Sequence, residues 1–81
     1  MDRCVNLRGL PYSCTNEMLI DFFKDFKLTE SDIVIEKVNN RLTGIGLVFL
    51  NTDYEVSQAI KDLDRKHLGS RYIEVRRASL D

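Results

Sequence analysis

Residues 42–50, LTGIGLVFL, are the stretch on which the fold turns. Residues 45–50 alternate as a strand, with Gly46, Val48 and Leu50 on one side and Ile45, Leu47 and Phe49 on the other. Gly46 inside that strand implies close approach by something packed against it. Immediately upstream, NNRLTG is turn chemistry, because Asn and Gly tolerate positive φ. Before the turn, residues 33–38, IVIEKV, are rich in β-branched side chains and read as another strand. A hairpin therefore occupies the middle of the chain.

On the C-terminal side, Thr52-Asp53-Tyr54-Glu55 forms a capping box, Thr-x-x-Glu. Val56, Ala59, Ile60 and Leu63 then mark the buried face of a helix. Gly69 is a loop or C-cap position, and residues 72–76, YIEVR, alternate as a further strand. On the N-terminal side, residues 4–10, CVNLRGL, set inward Val5 and Leu7 against Asn6 and Arg8. Pro11 opens a loop and Thr15 is placed to cap a helix. Met18, Leu19, Phe22, Phe23 and Phe26 fall on one helical stripe.

The order is βαββαβ. Right-handed crossovers put both helices on one side of a four-stranded antiparallel sheet with strand order 4-1-3-2, a ferredoxin-like α+β sandwich. The first and third strands lie at the centre, one sheet face packs on the helices, and the other is bare.

With 81 residues the chain fits one domain, read here as residues 1–81 and as a unit of a larger multidomain protein. Hydrophobic residues at 43% and charged residues at 31% fit a globular fold and argue against disorder. No apolar run approaches the roughly 20 residues that span a bilayer, so no membrane role is expected, and MDRCVNL lacks the apolar core of a signal peptide. Cys4 and Cys14 are expected to be reduced thiols of an intracellular protein; with one histidine they make neither a disulfide framework nor a metal site. There is no Gly-rich phosphate loop and no nucleophile beside a plausible base, so neither enzyme nor cofactor chemistry is expected. The net charge is −1, but it is unevenly spread. Residues 17–32 hold five acids and two lysines, whereas residues 65–77 hold five bases and one acid. An acidic face and a basic end follow.

The two central strands resemble those of the RNA-recognition motif. Its octamer runs basic, Gly, aromatic, Gly or Ala, aromatic, aliphatic, any residue, aromatic, and aligns with Thr43 to Leu50. Gly44, Gly46 and Val48 match, while Ile45 and Leu47 stand where the surface rings belong. The first-strand hexamer aligns with Val5 to Leu10, with Asn6 in place of a third ring. Base stacking is worth about 1–3 kcal/mol per ring, so the sheet face cannot grip RNA in the usual way.

Two further segments narrow the resemblance. LRGLPYSCT and DRKHLGSRYIEV are similar to the matching segments of the quasi-RNA-recognition motifs of heterogeneous nuclear ribonucleoproteins F and H, the G-rich sequence factor and the epithelial splicing regulators. In that subfamily loops, rather than the sheet, surround short guanine runs. The resemblance implies a monomeric domain that binds single-stranded, guanine-rich RNA in splicing or RNA processing, in the nucleus or shuttling from it. Carried over by position, Arg8 and Tyr12 act in the first loop and Arg71 and Tyr72 in the last. Asn6, Arg41, Lys66 and Arg76 are secondary contacts. Tyr12 stands where the family more often has Trp.

Physically, an arginine fork can read the O6/N7 edge of guanine or stack on a base, and Arg8 with Tyr12 and Arg71 with Tyr72 would form two arginine–ring pairs. Each residue also has a purely structural reading. Arg8 can pair with Glu74 across the sheet, Tyr12 can cap the core edge, Tyr72 can be a half-buried strand residue, and Arg71 and His67 can be solvated loop groups. A rival function uses the outward Ile45, Leu47 and Phe49 as an apolar face for a protein partner, with little or no RNA binding.

Overall fold

A computed structural model describes residues 3–78. The elements run β1 (Cys4–Arg8), α1 (Asn16–Phe22), β2 (Ile33–Val38), β3 (Arg41–Phe49), α2 (Asp53–Leu63), β4 (Lys66–Leu68) and β5 (Arg71–Arg77). Short 3₁₀ turns at Lys24–Phe26 and Glu30–Asp32 carry the chain from α1 to β2. All strand pairs are antiparallel, in the order β2-β3-β1-β5-β4. This is the expected α+β sandwich, with β5 as its fourth principal strand.

The fifth strand was not anticipated. Gly69 takes φ +65°, which lets the chain turn tightly at Gly69-Ser70 and lay Lys66–Leu68 back on β5. The pairs are Lys66 with Ile73, His67 with Tyr72 and Leu68 with Arg71. The sheet thus gains an edge hairpin beyond the four-stranded core.

The helix starts are capped as their sequences dictate. Thr15 accepts from the Met18 N–H at 3.3 Å, and Thr52 from the Glu55 N–H at 3.0 Å. Glu55 reaches back to the N–H of Asn51 at 3.0 Å. α1 is shorter than the apolar stripe suggests, because the chain leaves helical geometry at Phe23 and turns at Lys27, which is left-handed at φ 54°. Phe23 and Phe26 stay buried nonetheless, their rings 6.0 Å apart and edge-on. Val5 and Leu7 of β1, Val48 of β3, and Ile73 and Val75 of β5 form the sheet side of the core. Leu19, Phe23, Val56, Ala59 and Leu63 form the helix side.

The hairpin turn is tighter than NNRLTG implied. Asn39 and Asn40 both have positive φ, at 52° and 67°, and Val38 pairs with Arg41, so the loop has two residues. β3 accordingly begins at Arg41. It pays for the early start with a bulge: from Ile35–Gly46 to Lys37–Leu42 the register advances two residues on β2 and four on β3. Gly44 sits in this bulge at φ +93°. Its carbonyl accepts from the Leu10 N–H at 2.9 Å, tying the loop after β1 to β3. The neighbour implied by Gly46 is Leu10 as well. A Cβ on Gly46 would lie 3.1 Å from Leu10 Cδ1 and 3.2 Å from the Val34 carbonyl.

Candidate nucleic-acid interface

β1 and β5 are adjacent, so the loop after β1 and the turn before β5 emerge at the same end of the sheet. Gly9 brings them closer than side chains would permit. It has φ +88°, and a Cβ there would stand 2.6 Å from the carbonyl oxygen of Tyr72. The two loops that carry the four principal candidates are therefore packed backbone to backbone.

The structure brings those candidates together in a different pairing from the one expected. Arg71 holds its guanidinium carbon 5.2 Å from the centroid of the Tyr12 ring, a cation–π contact between the two loops. Arg8 lines a cleft with Gly9, Tyr72 and Glu74. So Arg71 goes with Tyr12 and Arg8 with Tyr72, the reverse of the sequence-adjacent pairs. Tyr12 is 68% and Tyr72 65% exposed, so both side chains are accessible to solvent. Arg8 and Glu74 are cross-strand neighbours, but among the described residues no ion pair joins them.

The β2–β3 hairpin adds a third wall. Tyr12, Asn40, Arg41, Leu42 and Thr43 line an open cleft of about 650 Å³, which places Arg41 beside the first loop. Thr43 is held by its hydroxyl, which donates to Glu36 Oε1 at 2.6 Å and accepts from the Ile45 N–H at 3.3 Å. Lys66 is exposed on β4.

Of the remaining secondary candidates, Arg76 is committed elsewhere and Asn6 is half-buried. Arg76 donates to Asp64 Oδ1 at 2.6 Å and to the Val75 carbonyl at 3.2 Å. Asp64 also accepts from the Val75 N–H at 2.9 Å. That backbone bond, with Arg76 second, holds the Asp64 carboxyl below the usual aspartate range. A carboxylate with a depressed folded pKa contributes stability that is complete above its unfolded pKa and lost as pH falls through the folded one. Urea unfolding of wild type and Asp64→Asn should therefore differ by a constant amount from about pH 5 upward and converge in stronger acid. Arg76 is spoken for, so Arg76→Ala should change RNA affinity less than about twofold, well inside the effect of losing a desolvated contact. Anisotropy titration checks this. Asn6 lies half-buried on the open face between Leu47 and Arg76, and its Oδ1 is buried without a hydrogen-bond partner.

His67, read from the sequence as a solvated loop group, and Arg65, not singled out there, also border the candidate interface. The His67 and Tyr72 rings lie 4.4 Å apart, tilted by 37°, as cross-strand neighbours in the edge hairpin. The signal was present in HLGSRY, where His and Tyr flank a Gly-Ser turn at matching distances. Arg65, left-handed at φ 67°, lines a second cleft with Tyr72 and Glu74. Nothing local in the sequence marks that placement.

On the sheet face, Ile45, Leu47 and Phe49 point away from the helices as expected, but they are half-buried rather than bare. The exposed apolar side chain beside them is Val34 of β2, at 49%.

Comparisons with known proteins bear on family and fold. A family model described as an RRM domain matches residues 5–81. The chain is 35% identical over 74 residues to G-rich sequence factor 1 of Mus musculus, covering 91% of this chain and 15% of that protein. It is 36% identical over 74 residues to heterogeneous nuclear ribonucleoprotein H2 of Mus musculus, covering 88% and 16%. The chain thus spans 15–16% of the length of these two relatives. The crystal structure of the Glorund qRRM2 domain superposes with a TM-score of 0.83 at 32% identity, covering 95% of this chain and 89% of that one. Alike in fold and in sequence, the chain belongs to the RRM domain family, a family of RNA-binding modules rather than enzymes.

Proposed function

We propose that the domain binds guanine-rich single-stranded RNA at the rim of the sheet, through Arg8, Tyr12, Arg71 and Tyr72, with Arg41 and Lys66 assisting. The observation that carries this reading is the Arg71 guanidinium lying 5.2 Å from the Tyr12 ring. That contact unites loops almost sixty residues apart in sequence and creates a flat cationic surface on which a base can stack. The name of G-rich sequence factor 1 is consistent with the guanine preference. The domain is read as one weak unit of a nuclear RNA-processing protein, where linked modules gain by effective concentration.

Charge supports the same location. Among the described residues Arg76 and Arg77 are engaged by Asp64 and Asp53, while Arg8, Arg41, Arg65, Lys66 and Arg71 form no ion pair. These five cations border the rim, and the half-buried state of Ile45, Leu47 and Phe49 weakens the case for the sheet face as the primary binding surface.

Fluorescence anisotropy against short guanine-rich, uridine-rich and adenine-rich oligonucleotides tests the reading. The guanine-rich strand should bind tightest, with affinity falling as salt rises. NMR shifts on titration should gather at the loops around residues 8–13, 39–43 and 65–72. Shifts confined to Ile45, Leu47 and Phe49, or no binding at low salt, would end it in favour of a protein-docking face.

A further inference from the structure

We propose that Glu74 is the guanine-reading acceptor of this rim: its carboxylate takes the N1–H and N2–H of a guanine stacked against Tyr72. The inference rests on the RNA reading above and assigns its base specificity to one atom pair.

A carboxylate is an unexpected group in a site for a polyanion, and its surroundings define what it can do. Tyr72 and Glu74 are two residues apart on β5, so they stand on the same face of the sheet about 7 Å from one another. Two clefts meet at this pair, one completed by Arg8 and Gly9 and the other by Arg65. Glu74 is exposed, and among the described residues its side chain makes neither an ion pair nor a hydrogen bond, although Arg8 is its cross-strand neighbour. A largely exposed ring with His67 at 4.4 Å, an uncommitted double acceptor beside it and a cation on each bank constitute a base-sized subsite. The ring stacks, the cations offset phosphate repulsion, and the carboxylate selects.

The selection follows from the bases themselves. An ionised carboxylate only accepts, and its two oxygens accept side by side. Guanine alone presents two adjacent donors, N1–H and N2–H, on its Watson–Crick edge. Adenine and cytosine set one amino donor next to a ring acceptor that a carboxylate repels, and uracil sets one N–H between two carbonyls. Arginine forks elsewhere on the rim can reach O6 and N7, so the two edges of guanine would be read by groups of opposite charge.

The test uses a short single strand with one guanine run, and the same strand with inosine in place of guanine, in lithium buffer. Inosine lacks only the N2 amino group. Wild type should bind the guanine strand about tenfold more tightly than the inosine strand, as expected for loss of a hydrogen bond to a charged group. Glu74→Gln should bind guanine about tenfold more weakly than wild type and discriminate far less against inosine. If Glu74 acts only as a surface charge, Glu74→Gln should instead bind both strands more tightly, through reduced phosphate repulsion, and that result overturns the proposal. Unchanged discrimination in Glu74→Gln overturns it as well, while leaving RNA binding at the rim intact. If wild type binds neither strand at low salt, the RNA reading fails and takes this inference with it.

Discussion

Replacing Gly9 with alanine should remove about 2–4 kcal/mol of folding stability, combining a clash of backbone type with a disfavoured φ. The methyl group would stand 2.6 Å from the Tyr72 carbonyl oxygen, an atom that cannot rotate away, at φ +88°. For a domain of this size the loss amounts to a fall in Tm of more than about 10 °C. Gly69→Ala is the control. Its φ of +65° is also left-handed, but a Cβ there meets nothing within 4 Å, so only the conformational cost of about 1 kcal/mol should be felt. Thermal and urea unfolding of the two variants separate close approach from backbone freedom. Gly9→Ala unfolding within about 0.5 kcal/mol of wild type would mean that β1 and β5 are not pinned as described. The folded fraction of Gly9→Ala should also bind RNA more weakly, because the strain moves Arg8 relative to Tyr72.

The second large effect concerns the contact between Arg71 and Tyr12. Arg71→Ala and Tyr12→Ala should each weaken guanine-rich RNA binding by ten- to a hundredfold, roughly the worth of one stacked base or one bidentate fork. Because the two side chains touch, the double variant should lose less than the sum of the single losses, with a coupling of about 0.5–3 kcal/mol. Arg71→Lys keeps the charge but loses the planar fork, and should recover only a small part of the binding. Both positions are solvent-facing, so unfolding curves should barely move. Strict additivity in the cycle would place the two residues on separate parts of the ligand and dissolve the joint surface.

Much of this arrangement was legible in the residues. The alternation around Val48 and that around Val5 and Leu7 identified the central strands and their buried side, because period-two burial leaves no freedom in which side chains face the helices. Thr15 and Thr52 marked both helix starts through a local hydrogen bond that needs only neighbouring residues. The two ends of the candidate site came instead from the family resemblance that RGLPY and GSRY carry, each at a strand end. What eluded reading was relation across the sheet. That Arg71 reaches Tyr12 while Arg8 faces Tyr72 depends on how tightly β1 and β5 approach, which Gly9 decides and no spacing reports. The β4–β5 hairpin was hidden because a three-residue strand carries too little alternation to stand out from a loop. The break in α1 after Phe22 escaped because the phenylalanines keep helical spacing while the backbone does not.

The bond from the Leu10 N–H to the Gly44 carbonyl bears on how this surface can change over time. It fastens the first loop through backbone atoms, so loop shape does not depend on the side chains displayed there. Ring size at position 12 and charge at position 8 are then free to drift without loosening the scaffold. Related domains can retune what they grip, and how hard, by exchanging fittings on an unchanged mount.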